Sequence, residues 1–166
     1  MAPLPPPDAS SPILFGQPAP AGPLLPWSWA TERLITARNY WIATVRADGS
    51  PHTRPVWGVW LPTGFWFSTG SLARQNLRSN PEISVHLEDG DEVLVIEGTA
   101  TRVTATADLQ PMCAAYNPKY GWTIRPDEGG VTDAGGTGGP AYRVTPRVVF
   151  GWERDMARPT RWTFPN

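Results

Sequence analysis

The 166-residue chain has one cysteine, Cys113, one lysine, Lys119, and two histidines. A single thiol excludes an intrachain disulfide. With His52 and His86 on separate strand-like runs, it offers no metal-ligand spacing, and the histidines read as structural or surface groups. Net charge is only −1 and the pI about 6.1, so the basic face that nucleic acid or an anionic membrane requires is missing. No long apolar run and no signal-peptide pattern occur, which makes a bilayer span or secretion unexpected and a cytoplasmic location the expectation. There is no G-x-S-x-G elbow, and Asp89, Asp91 and Glu92 read as turn and strand-start charges, so hydrolysis is not expected.

What is present is proline, tryptophan and a 40% hydrophobic fraction, enough for a real core. Nine of the twenty prolines fall between Met1 and Pro26, a composition that favours extended backbone. The division expected is a proline-rich tail over 1–26 and one domain over 27–166. Ile13, Leu14, Phe15, Leu24 and Leu25 are the tail residues that could dock on a partner subunit.

The organising stretch is Tyr40 to Glu88. Tyr40–Arg46 alternates as a strand, Asp48-Gly49 signals a hairpin, and His52–Leu61 reads as a longer strand interrupted at Pro55 and Gly58. Phe65–Ser68 returns as a third strand, and Ser71 is placed to cap a short helix anchored by Leu72 and Leu77 and stopped at Asn80-Pro81. A second hairpin, Glu82–Glu88 and Glu92–Val103, turns at Asp89-Gly90. Before this core, a helix capped by Ser28 is expected to run to about Arg38. After it, a helix from Thr106 or Asp108 carries Leu109, Met112, Cys113 and Tyr116 at helical spacing up to Asn117-Pro118. Cys113 reads as a small buried apolar residue. Glu128–Pro140 is glycine-rich but lacks the lysine and Ser/Thr of a phosphate loop, and is expected as a linker or lid. Ala141–Val149, Phe150–Glu153 and Arg161–Phe164 supply late strands.

The hand-over segment Phe67–Ser71 combines two hydroxyls, a glycine and a cap-type serine, a combination suited to an anion. Arg74 and Arg78 follow on one helix face, and Arg54 sits inside a strand, an awkward place for a charge unless it faces solvent or a ligand. Each alone reads as a solvated arginine; together they are a candidate anion site. Trp57, Trp60 and Trp66 are either core or the wall of a slot for a flat ring system.

Several stretches carry a family resemblance. They are Ala43–Trp60, the FSTG at Phe67–Gly70, Asn76-Leu77 with Asn80-Pro81, Val85–Ala100, Tyr116–Trp122, Tyr142–Trp152 and Thr160–Phe164. The chain resembles the pyridoxamine-phosphate-oxidase-like proteins, most closely the actinobacterial flavin- and deazaflavin (F-420)-dependent oxidoreductases. The resemblance implies a mainly β, antiparallel split β-barrel forming a homodimer with the cofactor between subunits. It implies contacts to ring or phosphate from Arg54, Pro55, Val56 and Trp57. Ser68 and Thr69 would hydrogen-bond the phosphate or ribityl part, and Ser71 and Arg74 would complete the anion end. The cofactor carries the hydride in such proteins, so no nucleophile is called for. Where the family shows an Arg-Lys pair after this serine, the chain has Leu72 and Ala73. A dianionic phosphate monoester loses more from that change than a phosphodiester does, which favours coenzyme F-420 over FMN. The readings that follow are an F-420-dependent reductase of a small conjugated or aromatic substrate, an FMN-dependent oxidase or reductase, and a non-catalytic coenzyme carrier.

Overall fold

A computed structural model describes residues 1–19 and 22–165. Pro20 and Ala21 of the expected tail and Asn166 of the expected domain lie outside them. The leader contributes β1 (Asp8–Ser10), β2 (Ile13–Leu14) and β3 (Gln17–Pro18), followed by α1 (Trp27–Thr36). The central run forms β4 (Tyr40–Val45), β5 (Pro51–Val56), β6 (Gly58–Leu61), β7 (Gly64–Ser68), α2 (Ala73–Ser79), β8 (Glu82–His86) and β9 (Val93–Val103). Then come α3 (Thr106–Tyr120), β10 (Arg125–Asp127), β11 (Gly130–Thr132), β12 (Gly138–Gly139), β13 (Ala141–Glu153) and β14 (Ala157–Thr163).

The fold is mainly β, and every strand pairing among the described residues is antiparallel. The main sheet runs β1-β14-β13-β9-β8-β4-β5, with β7 also paired to β13 and β6 to β7. Strand β13 is the spine. One edge follows β9 along its length, while β7 takes the other edge over Ala141–Val144 and β14 takes it beyond Val148. One edge serving two strands is what splits the barrel. The β13–β9 register slips between Pro146 and Val148, where the proline has no N–H for the ladder.

Two cores follow from the alternation of side chains along the strands. Phe65 and Phe67 of β7 point into the barrel with Tyr40, Ile42, Val85, Ile96 and Trp162, and α1 closes that core with Trp29, Ala30 and Leu34. Trp66, between them, points the other way, against Leu109, Met112 and Cys113 of α3. Being buried on both faces explains why GFWFS reads as an unbroken apolar run. Cys113 is buried, as its spacing suggested.

Several boundaries differ from the expectation. Helix α1 starts one residue before Ser28, with Pro26 in the capping position, and the Ser28 carbonyl accepts a bond from the Thr31 hydroxyl. Leu72 takes the capping position of α2, while the Ser71 hydroxyl accepts the Ala73 N–H at 3.3 Å from one residue further back. The single strand expected from His52 to Leu61 breaks at Trp57. Helix α3 continues through Pro118 to Tyr120. Phe150–Glu153 continues β13 instead of forming a new strand. The glycine-rich stretch is no linker: β10, β11 and β12 form a three-stranded sheet in which Val131 and Thr132 are buried. Glycine at 138 is what lets β12 sit that close, since a Cβ there would overlap the Val131 carbonyl.

The leader lies along the barrel. Strand β1 adds to the edge of β14, the Leu4 N–H donates to the Pro62 carbonyl at 2.7 Å, and Leu25 is buried with its N–H on the Thr160 hydroxyl at 2.8 Å. Phe15, at the tip of the β2–β3 hairpin, stays 91% exposed.

Candidate functional site

The candidate site is an open groove of about 780 Å³. The break at Trp57, the end of β7 and the turn into α2 meet there. It collects Arg54, Pro55, Val56, Trp57, Ser68, Thr69 and Ser71. These are seven of the eight residues expected to bind a cofactor. Arg74, the eighth, lines a separate, smaller cavity on the other side of the Thr69–Gly70 backbone.

The polar end is built by the turn. The Ser68 hydroxyl donates to the Gly139 carbonyl at 3.1 Å, which ties β7 to the small sheet. Thr69 and Ser71 share a hydroxyl–hydroxyl bond of 2.7 Å, and the Ser71 N–H donates to Thr69 Oγ1 at 3.2 Å. One hydroxyl proton serves that shared bond, so the other is free to donate into the groove whichever oxygen carries it. Helix α2 is fixed behind the turn by Asn76, whose side chain donates to the buried Thr44 hydroxyl of β4 at 2.9 Å.

Arg54 lines the same groove. Its register partner on β4 is Ile42, a core residue, so its side chain leaves the sheet on the inner face. Its Nε is buried and has no hydrogen-bond partner. The guanidinium charge is what an oxyanion in the groove would pair with.

Trp41, Trp57 and Tyr116 give the groove aromatic lining. Trp57, 37% exposed, stacks on Tyr120 with centroids 5.0 Å apart and planes 10° from parallel, and Trp122 meets its edge at 5.9 Å. The Tyr120 hydroxyl lies 2.6 Å from the Arg38 carbonyl and accepts the Gly58 N–H at 3.0 Å, so the wall is locked to β6. Lys119 lies behind it, donating to the Tyr40 hydroxyl at 2.8 Å and to the Ile35 and Gly58 carbonyls at 3.2 Å each. Burial holds its ammonium down to about 8. Of the three tryptophans in question, Trp66 is core, Trp60 is half-buried against the core and Trp57 lines the groove.

Four further lining residues carried no sequence signal: Asn39, Trp41, Glu88 and Tyr116. The Asn39 side chain donates to the Glu88 carboxylate at 3.1 Å across 49 positions, a pairing that no local spacing encodes. Burial, and then the neighbouring Tyr120, push the Tyr116 phenol up to about 12, so it is neutral at physiological pH. Neither histidine lines the groove. His52 Nδ1 lies 3.4 Å from the Thr44 hydroxyl, and His86 stacks on Trp41.

An antiparallel split barrel with an open groove lined by hydroxyls and aromatic rings defines a class of split-barrel proteins. A model described as pyridoxamine 5'-phosphate oxidase matches residues 30–152, and the chain belongs to that family. No curated protein matches it. Among solved structures, it is similar to the conserved hypothetical protein Rv2991 from Mycobacterium tuberculosis, with a TM-score of 0.66 and 22% identity over 80% of this chain and 88% of that one. It is also similar to a protein related to general stress protein 26 from Clostridium acetobutylicum, with a TM-score of 0.59 and 14% identity over 82% and 92%. A third is HutZ, the heme storage protein from Vibrio cholerae, with a TM-score of 0.54 and 18% identity over 72% and 88%. These likenesses show the fold.

Proposed function

We propose that the protein is a flavin-type oxidoreductase that binds the deazaflavin coenzyme F-420 in this groove and acts on a small conjugated or aromatic substrate. The observation that carries the reading is a groove in which the Arg54 cation, the Thr69 and Ser71 hydroxyls and the Trp57 ring, itself stacked on Tyr120, come together. Arg54 and the free hydroxyl of the Thr69–Ser71 pair would hold the phosphate, and Pro55, Val56 and Trp57 would flank the ring. Tyr116 presents a neutral phenol to the same space. The bound coenzyme supplies the hydride chemistry; the chain binds, orients and excludes water.

Charge favours F-420 over FMN. Among the described lining residues Arg54 is the one cation and Glu88 the one carboxylate. The positions after Ser71 add nothing, since Leu72 is 40% exposed and Ala73 is buried. One guanidinium suits the single charge of a phosphodiester and leaves part of a dianionic monoester unpaired. FMN on the same scaffold is the alternative, and non-catalytic coenzyme binding is the third reading. A haem in this groove would find no histidine among the described lining residues.

The test is the absorbance spectrum of the purified protein, then separate titrations with F-420 and FMN. Tight, selective F-420 binding supports the reading. FMN binding in its place transfers it to the FMN alternative, and no binding by either at about micromolar concentration overturns both. Turnover of an acceptor with reduced F-420 separates an enzyme from a carrier. We further propose a homodimer that covers the groove, because exposed Trp57 and Trp122 stand together beside it.

A further inference from the structure

The cavity that takes Arg74 has about 210 Å³ and is walled by the β10–β12 sheet. Arg102 of β9 lines it too, and one of its guanidinium nitrogens donates to the Gly129 carbonyl at 3.2 Å. Its other N–H groups have no partner among the described residues. The register sets Arg102 directly across from Tyr142 on β13, and Tyr142 in turn lies across from Phe67 of β7. The phenol of Tyr142 is buried, and three guanidinium groups act on it: Arg102, Arg74 and Arg78. Among the described residues, no carboxylate lies within 4.0 Å of a guanidinium nitrogen of any of the three. Asp127 is the one carboxylate lining the cavity.

Three like charges gathered around one buried phenol repel each other, and one carboxylate does not neutralise them. The chain does pair other arginines: Arg33 meets Glu92 at 2.6 Å, and Arg147 meets Glu82 at 3.0 Å. At Arg74 and Arg102 it leaves planar, multi-donor groups around a space roomy enough for an oxyanion.

We propose that Arg74 and Arg102 form a second binding site for an oxyanion, a phosphate or carboxylate group, separate from the groove. Gly139 is the wall between the two: its carbonyl holds the Ser68 hydroxyl on the groove side, and it lines the arginine cavity on the other. The anion is either a free one or a second acidic group of a ligand whose body lies in the groove. The site stands independently of what the groove binds.

The probe is inorganic pyrophosphate, titrated calorimetrically into the full-length protein. Saturable binding is expected in an Arg54→Ala background, which removes the groove's own cation; there it is weakened by about tenfold or more by adding Arg74→Ala/Arg102→Ala and unchanged by adding Arg161→Ala at an exposed arginine elsewhere. Both arginines are exposed, and circular dichroism checks that the variants are folded. A second readout is the Tyr142 phenol, whose titration should move to higher pH when pyrophosphate screens the arginines; Tyr142→Phe identifies its signal. No saturable binding at about 10 mM, or binding lost in Arg54→Ala and kept in the double variant, overturns the site. Repeating the titration with the groove ligand bound separates the sources, read on the part of the binding that the Arg74→Ala/Arg102→Ala variant loses. If that part is undiminished the site takes a free anion, and if it is lost the site takes the ligand's own second acidic group.

Discussion

In the proposed site Arg54 is the residue on which binding should depend most, because it is the one cation among the described lining residues. Arg54→Ala should weaken coenzyme binding by about tenfold or more, the range for a hydrogen bond to a charged group, and Arg54→Lys should recover only part of it because a lysine lacks the planar fork. Fluorescence titration with F-420 measures both. Lys119 carries a pH signature. Its pKa is about 8 in the fold against 10.5 unperturbed, so between these values the unfolded chain binds more protons and stability rises with pH. Below about pH 8 the cost of the buried ammonium is fully present. The tyrosines whose phenols burial pushes up, Tyr40, Tyr116 and Tyr120, act in the opposite sense only above about pH 10. Urea midpoints should therefore climb from pH 8 toward 10, and Lys119→Met should flatten that climb.

At the scale of elements, the β5–β6 break and the β7–α2 turn make the groove, and both were legible. Pro55 and Gly58 interrupt an apolar run, and FSTGS joins strand signals to helix signals within five residues. Position 58 is constrained from both sides. A Cβ there would overlap the Phe65 ring, and the Gly58 N–H and carbonyl both meet the Tyr120 hydroxyl that holds the aromatic wall. Gly58→Ala should cost about 1–3 kcal/mol by overpacking, which calorimetry would read as a melting point lower by roughly 2–4 °C for each kcal/mol. Two elements were hidden. The β10–β12 sheet has too few apolar residues to show a period, and its stability comes from glycines that allow backbones to approach. Asn39, Glu88 and Tyr116 reach the groove through pairings between distant segments, which local spacing does not encode. Arg74 was read correctly as a helix cation. Its side of the helix faces the small sheet, and that sheet was invisible in the sequence.

For the whole molecule, alternation and turn signals set the strands, and the family resemblance set the mainly β split barrel. Composition was silent on where the first 26 residues go. Strand β1 covers the β14 edge, and Leu25 enters the core. Deleting residues 1–10 should lower the melting temperature and leave β14 as an open edge prone to self-association, which light scattering during a thermal ramp would detect. The proposed dimer makes its own prediction. Size-exclusion chromatography with light scattering should give twice the monomer mass of 18.2 kDa, and Trp122→Arg should shift it toward monomer.

The pairing of β1 with β14 also sets an order in time. The Ser10 hydroxyl bonds the Arg161 carbonyl, a partner 151 positions further along. During synthesis the leader emerges 151 positions before the strand it pairs with. Until then β1 has no native edge to join, and the leader's prolines, which cannot donate to a ladder, keep it from pairing with the nascent hairpins. The leader is thus a latch on the β14 edge, engaged only once β14 has been made.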